Sequence, residues 1–399
     1  MAELEGRRLV LGVTGGIAAY KAAELARLLV KDGAEVHAVL SKSGAQFVTP
    51  VTFQALTGNP AWSDQWDARM PSNMAHIDLS RGADAIVVAP ASADFLAKLA
   101  HGLADDLLST LCLARVCPLI VAPAMNRQMW EHPATQRNKS QLLQDGVTIL
   151  GPAEGEQACG ETGLGRMLEA VQIHDALAGF FQPRVLAGRR VLLTAGPTFE
   201  ALDAVRGLTN LSSGKMGFAL ARAARDAGAQ VTLVSGPAAQ PTPDGVMRID
   251  VTSALAMHAA VMQRAAACDV FIGVAAVADY RPVEPVQEKI KKEDKPLQIT
   301  LAPNPDILAE VAALPKPPFC VGFAAESHDL EKYAEGKRQK KKLALVVGNL
   351  VQDGFGGETN SVILFDDQGR HPLGPAPKID IARGIVAHIG AMLAGNGGE

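Results

Sequence analysis

Apolar runs of strand length alternate with helical stripes along this chain, and the rhythm restarts once. Arg8 to Val13 predicts a strand, and Thr14-Gly15-Gly16 predicts the turn after it. Ile17 to Val30 carries Leu25, Leu28 and Leu29 on one stripe and predicts a helix, which Asp32-Gly33 stops. Glu35 to Leu40 predicts the second strand and Ala85 to Ala89 the third. A helical stretch to about Arg115 follows the small residues Pro90-Ala91-Ser92-Ala93-Asp94, and Pro118 to Val121 and Ile149 to Pro152 predict further strands.

The pattern resets around Phe180 to Gly188, with Pro183 and Gly188 in a predicted linker. Arg190 to Thr194 opens the second series. A helix runs from SSGKMG to Asp226, and strands are predicted at Gln230 to Val234, Val270 to Val274, Cys320 to Ala324 and Leu345 to Val347. RDAGAQVTLVSGP repeats the order of KDGAEVHAVLSKS: helix end, Gly, strand, Ser. This predicts a second Rossmann-like unit, not a repeat array. Alternating strands and helices imply mostly parallel sheets covered on both faces, hence an α/β fold in two domains, 1–189 and 190–399.

Composition narrows the function. The 399 residues are 48% apolar and 20% charged, with net charge −4 and 5% aromatics, which argues against a nucleic-acid partner. The five cysteines, Cys112, Cys117, Cys159, Cys268 and Cys320, include no CxxC pair, so neither a disulfide framework nor structural zinc is expected. MAELEGRRLV lacks the apolar core of a signal peptide, and no apolar run reaches the roughly 20 residues of a membrane span. A cytoplasmic protein without a membrane partner is expected.

Candidate chemistry sits at predicted strand ends. GVTGG is not the dinucleotide GxGxxG, and Leu40-Ser41-Lys42 offers no acid for a ribose diol. The turn therefore suits a mononucleotide with one phosphate, with Ser41 as a contact; a plain turn fits as well. In PAMNRQMW, Pro123 to Trp130, Asn126 offers one directed amide, while Met125 and Met129 also fit as core filler. His76 stands between a polar loop and an apolar run. Cys159 lies in QACGETGLGRM, unlike the other four cysteines, which lie in apolar runs; it reads as a thiol on a Gly-rich flap or as an inert loop cysteine.

SSGKMG is not a P-loop, because Thr209 replaces the first Gly and Met216 the Ser or Thr, but it can still be an anion-binding turn. Asp279 stands after a strand. EKIKKEDK, with Lys289, Lys291, Lys292 and Lys295, reads as a solvated face or as a lid carrying a lysine to phosphates. With GKRQKKK at Gly336 to Lys342, it makes two basic blocks in a net-acidic chain, which suits a triphosphate.

Taken in order, these stretches resemble a bacterial family of bifunctional coenzyme A biosynthesis proteins, over nearly all of 7–390. GVTGGIAAYK, AHIDL, APASAD, PAMNRQMW and ACGETGLGRM carry the resemblance in the first half. TAGPTFE, NLSSGKMG, AAVADYRP, EKIKK, NPDIL and GFAAE carry it in the second. The resemblance implies a flavodoxin-like, homo-oligomeric FMN-dependent phosphopantothenoylcysteine decarboxylase followed by a Rossmann-like phosphopantothenate–cysteine ligase.

In the first half it implies FMN on Gly15, Gly16, Ser41, Pro90, Ala91, Ser92, Ser109 and Ala124. His76 would handle protons, Asn126 would hold the substrate carboxylate, and Cys159 would be the proton donor. In the second half it implies 4′-phosphopantothenate, L-cysteine, CTP and Mg2+, with Asn210 holding an acyl cytidylate and Lys289 as a mobile catalytic lysine. CTP contacts would come from Gly273, Val274, Ala275, Asp279, Pro305, Asp306, Ile307, Leu308, Phe323, Lys337 and Lys341. It further implies decarboxylase trimers assembling to a dodecamer, with dimeric ligase halves.

The departures fall in the ligase half. The family usually has Arg at Phe199, prolines at Ala201 and Ala204, an aromatic and Ile at Gly207-Leu208, and Asn-Asp at Asn349-Leu350. A flavin decarboxylase acting on a peptide's C-terminal cysteine, and a flavodoxin-like regulatory subunit, are rival readings. The second half speaks against the first, and the lack of a long acidic tail against the second.

Overall fold

The computed structural model describes residues 3–67, 74–158, 160–284, 286–291, 296–350 and 357–395. The chain forms two compact units, one over Ala2–Phe181 and one from Gln182 onward.

In the first unit, β1 (Arg8–Val13), β2 (Glu35–Leu40), β3 (Ala85–Ala91), β4 (Leu119–Pro123) and β5 (Thr148–Ile149) form one parallel sheet in the order β2-β1-β3-β4-β5. This 2-1-3-4-5 order is that of flavodoxin-like folds, and it reverses between β1 and β3. All of β3 and β4 is buried, as expected for parallel strands covered on both faces. The helix Ala19–Lys31 packs Leu25 and Leu29 against one face, each stabilising by roughly 1.5–3 kcal/mol. Phe95, Leu108 and Trp130 fill the other. An antiparallel hairpin, β6 (Ala153–Glu156) and β7 (Thr162–Arg166), follows the sheet.

Two expectations need correction. The stretch from Ala93 to Arg115 is two helices, Ala93–His101 and Leu107–Ala114. Gly102 ends the first at φ 68°, and Asp106 starts the second by accepting from the Ser109 amide at 2.7 Å. The strand expected over 149–152 is confined to Thr148–Ile149, because Gly151 turns the chain at φ 83° before Pro152.

In the second unit, β8 (Arg190–Ala195), β11 (Gln230–Ser235), β12 (Met247–Asp250), β13 (Val270–Gly273), β16 (Phe319–Glu326), β17 (Leu345–Leu350), β18 (Thr359–Asp366) and β19 (Gly369–Pro377) form one sheet. Its order is β12-β11-β8-β13-β16-β17-β18-β19. The first six strands are parallel and, counted within the unit, follow 3-2-1-4-5-6, the Rossmann order. The last two add an antiparallel hairpin. Two small ribbons lie outside the sheet: β9 (Phe199–Ala201) with β10 (Gly207–Thr209), and β14 (Tyr280–Pro282) with β15 (Leu301–Pro303). Gly217 lets the helix Lys215–Asp226 approach β8 closely; a Cβ there would lie 2.5 Å from that of Ala195.

Candidate active sites

Each main sheet is stapled by one threonine where its strand order reverses. In the first unit, Thr14 Oγ1 donates to the Pro90 carbonyl at 2.7 Å and accepts from the Ser92 amide at 2.9 Å. In the second, Thr194 Oγ1 accepts from the Val274 and Ala275 amides, each at 3.2 Å. Both staples fix the loops beyond the carboxyl strand ends, where ligands bind in such sheets.

In the first unit a cavity of about 530 Å³ lies between the turn at Gly16, the stretch Ala124 to Asn126 and the hairpin residues Glu156 to Ala158 and Gly165 to Met167. Asn126 caps the helix Arg127–Glu131: its Oδ1 accepts from the Met129 amide at 3.0 Å. That bond orients the amide, and its Nδ2 donates to Gln128 Oε1 at 2.9 Å. The hairpin is docked on this stretch, with the Met125 amide donating to the Gly165 carbonyl at 3.0 Å and the Arg127 amide to Gln157 Oε1 at 3.0 Å. Gly165 needs its missing Cβ: φ is 141°, and a Cβ would lie 2.4 Å from the Met125 carbonyl oxygen.

Among the sequence candidates, Gly16, Ala124 and Asn126 line this cavity. The Ser41 hydroxyl accepts from the Gly44 amide at 3.1 Å, and that of Ser92 from the Phe95 amide at 3.2 Å, so each retains a proton to donate. Gly15 lies in the Thr14 turn, and Pro90 and Ala91 lie on the β3 end of the same staple. Ser109 is buried, and its hydroxyl lies 2.9 Å from the Asp106 carboxylate in the capping box. His76 is half-buried on the helix Ala75–Arg81 and does not line the cavity. Cys159 lies outside the described residues.

Lys21, which sequence reasoning missed, lines the cavity with a buried ammonium that donates to the Met167 carbonyl at 3.1 Å and to Glu169 Oε1 at 2.9 Å. Its bond to Lys21 is the main reason the Glu169 carboxyl sits below its usual range. The only signal was a lysine closing GGIAAYK on an otherwise apolar stripe.

The second unit holds two adjoining cavities, of about 320 and 310 Å³, which share Ala275, Val277, Phe323 and Lys337. One is lined by the turn Ser212 to Gly217, with Asn360 and Lys378. The other is lined by Gly273, Asp279 and the stretch Asn304 to Leu308, with Lys341. Val274 faces the first; Pro305, Asp306, Ile307 and Leu308 face the second. Burial, and then the neighbouring Lys341, lower the Lys337 ammonium from its ordinary value. Burial pushes the Asp306 carboxyl up, but Lys341 at 2.6 Å leaves it net lowered. Sequence reasoning missed Asn360 and Lys378, which the C-terminal hairpin and the helix Lys378–Gly395 bring in from far along the chain.

Asn210 is exposed and donates from Nδ2 to the Ala276 carbonyl at 2.9 Å; it lines neither cavity. Lys289 is exposed and lines neither. Lys292 and Lys295 lie outside the described residues. The departures at Phe199 and Gly207 are coupled, because a Cβ on Gly207 would lie 2.4 Å from the Phe199 ring. Away from the cavities, the buried Asp366 accepts from His371 Nε2 at 3.1 Å and His388 Nε2 at 2.7 Å, so each carboxylate oxygen is already bonded to an imidazole.

Two family models match the chain: "Flavoprotein" over residues 1–182 and "DNA/pantothenate metabolism flavoprotein C-terminal domain" over 186–393. Full-length relatives are similar to it throughout. A Vibrio cholerae protein named coenzyme A biosynthesis bifunctional protein CoaBC is 49% identical over 98% of this chain and 99% of its own. Proteins of the same name are 47% identical in Escherichia coli K12, over 92% of each chain, and 43% identical in Bacillus subtilis, over 98% of each.

Proposed function

The chain belongs to the family of bifunctional coenzyme A biosynthesis proteins, and from that membership we propose how its two units divide the work. The protein is a two-activity enzyme: it joins 4′-phosphopantothenate to L-cysteine and then decarboxylates the product to 4′-phosphopantetheine.

Decarboxylation belongs to the first unit, with FMN as cofactor. The residues present fit that group. The 13-residue helix Ala19–Lys31 has no side-chain cap and presents its N-terminus at the Gly15–Gly16 turn; Ser41 and Ser92 have hydroxyl protons to donate to a phosphate. Gly16 leaves open space where a Cβ would stand, and Ile17, Ala124 and Met167 supply apolar surface for a ring. FMN held there would supply reversible two-electron redox chemistry at the substrate's thiol end, with which the carboxylate can leave as carbon dioxide. Asn126 Nδ2 holds that carboxylate in place of Gln128. Cys159 supplies the final proton.

His76 handles a proton from the helix Ala75–Arg81 of a second copy, since within one chain it stands off the cavity. The exposed apolar Ile17 and Tyr20, 61% and 59% accessible at the cavity rim, support such a covering copy. Trimers assembling into a dodecamer are the proposed arrangement.

Ligation belongs to the second unit. The observation that carries this reading is the pair of joined cavities with Lys337 at their junction. CTP takes the cavity of Gly273, Asp279 and Pro305 to Leu308, with Lys337 and Lys341 offsetting phosphate charge. Phosphopantothenate takes the other, against the Ser212 to Gly217 turn. Its carboxylate attacks the α-phosphate at the junction, pyrophosphate leaves, and the cysteine amine then displaces CMP from the acyl cytidylate. Magnesium would accompany the triphosphate, and Asp279 is an exposed carboxylate suited to it. Asn210 holds the acyl intermediate, Lys289 reaches the phosphates, and the ligase half dimerises. The proposed location is the cytoplasm; among the described residues no helix is long and apolar enough to cross a membrane.

The test supplies phosphopantothenate, cysteine and either CTP or ATP to the full chain, and follows product mass, pyrophosphate and carbon dioxide. A yellow protein that releases both with CTP is expected. Release of neither would sink the reading.

A further inference from the structure

Ile290 is held by both of its backbone polar groups. Its amide donates to Asp203 Oδ2 at 3.1 Å, and its carbonyl accepts from Arg206 Nη2 at 2.6 Å. The Asp203 side chain is fully enclosed and carries the other half of the grip: its Oδ2 accepts from Arg206 Nε at 2.9 Å and Nη2 at 2.6 Å. Its Oδ1 accepts from the Val205 and Arg206 amides at 2.8 and 2.9 Å. A second tie lies four residues earlier, where the Val286 amide donates to the Leu202 carbonyl at 3.1 Å. Lys289 lies between the two ties.

The local turn does not require a buried anion. A neutral Asn accepts from the amides two and three residues on as well. Enclosing a carboxylate is costly unless its remaining lone pairs are met. Here they are met by the Arg206 guanidinium and by the peptide of a residue 87 positions away. The charge is therefore explained by what it does for the segment at Ile290. The Arg206 side chain, and then the Val205 amide, hold the carboxyl at about 2, so it is ionised at any working pH.

We propose that Asp203 is a positioning residue for the ligation reaction: by fixing the Ile290 peptide it limits the arc through which Lys289 approaches the nucleotide cavity. This rests on the reading of Lys289 as the lysine that reaches the phosphates. A long side chain on a free segment samples many positions, whereas one anchored at the next peptide samples few. Misplacement of a reacting group by about 1 Å can cost roughly a hundredfold in rate.

The test is a double-mutant cycle in the full chain, with Asp203→Asn, Lys289→Gln and both together. Asp203→Asn should lower ligation kcat by about ten- to a hundredfold while the KM for CTP stays within about twofold. In the Lys289→Gln background it should cost nothing further. An additive loss in that background, or a wild-type kcat for Asp203→Asn, would overturn the proposal. Trypsin provides a second readout: cleavage after Lys289 and Lys291, mapped by mass, should be faster in Asp203→Asn than in wild type. Unchanged cleavage would also count against the grip.

Decarboxylation of supplied phosphopantothenoylcysteine, together with the ligase unit's unfolding midpoint, reports whether the variant is folded. If Asp203→Asn fails to fold, Asp203→Glu goes through the same cycle. A full rate in Lys289→Gln alone would defeat the reading of Lys289, and the proteolysis result would still decide whether Asp203 holds the segment.

Discussion

The Met129 amide donates to Asn126 Oδ1 at 3.0 Å, so the cap on the helix Arg127–Glu131 also decides which end of the Asn126 amide faces the cavity. The oxygen is used for structure, and the nitrogen, which donates to Gln128 Oε1 at 2.9 Å, is the end proposed to meet a carboxylate. Asp caps a helix as well as Asn does but presents oxygen to the substrate. Asn126→Asp should therefore keep the fold and lose decarboxylation by about a hundredfold or more, as for removal of one directed donor. Ligation in the same protein should be unchanged. Carbon dioxide release and pyrophosphate release, measured separately, check this; intact decarboxylation would remove Asn126 from the reaction.

Thr194 satisfies two amides of the loop after β13 with one hydroxyl. Thr194→Val keeps the shape and removes that acceptor. It should destabilise the second unit by about 1–3 kcal/mol and raise the KM for CTP, while Thr194→Ser should be close to wild type. Denaturant unfolding and ligation kinetics test it. A Val variant with both values unchanged would show that water replaces the hydroxyl.

Gly207 pairs with Ala201 across the β9–β10 ribbon, and the Phe199 ring fills the space a side chain at 207 would need. Gly207→Tyr alone drives a ring into the Phe199 ring and should cost about 1–3 kcal/mol. Adding Phe199→Arg should recover part of that loss, because the ring clash goes while the Glu200 carbonyl oxygen, 2.7 Å from a Cβ at 207, stays. If the double variant is no more stable than Gly207→Tyr, the two positions are not coupled.

His174, on the helix Ala170–Phe180, bonds Asp32 Oδ2 at 2.9 Å at the end of the helix Ala19–Lys31. Asp175 first, and then Asp32, raise the imidazole above its ordinary value of 6.5, against an opposing effect of burial. A raised folded value means the stabilisation is complete below 6.5 and fades as pH rises through the folded value. His174→Gln should therefore lower Tm most at about pH 5.5–6, with the gap to wild type closing towards about pH 9. A gap that does not change with pH would show that the charge contributes nothing.

Much of the fold was legible from residues alone because buried parallel strands are written as short apolar runs. Arg8–Val13 and Glu35–Leu40 have the bounds their hydropathy predicts, and SSGKMG opens its helix as read. Local signals were weaker where one capping residue decided the outcome. The break between His101 and Leu107 turns on Gly102 and on a carboxylate–amide bond at Asp106, neither of which interrupts the apolar stripe.

What the residues by themselves determined was the set of candidate groups and the strands whose ends carry them. Only the tertiary structure decided which groups share a cavity. The order of strands in each sheet creates the crevice between β1 and β3, and that between β8 and β13; no local pattern encodes which strands become neighbours. Lys21, Asn360 and Lys378 became visible as lining residues, and His76, Asn210 and Lys289 as residues outside the lining, for the same reason. A side chain's chemistry is local, but its neighbours are set by pairing and packing between segments far apart in the chain.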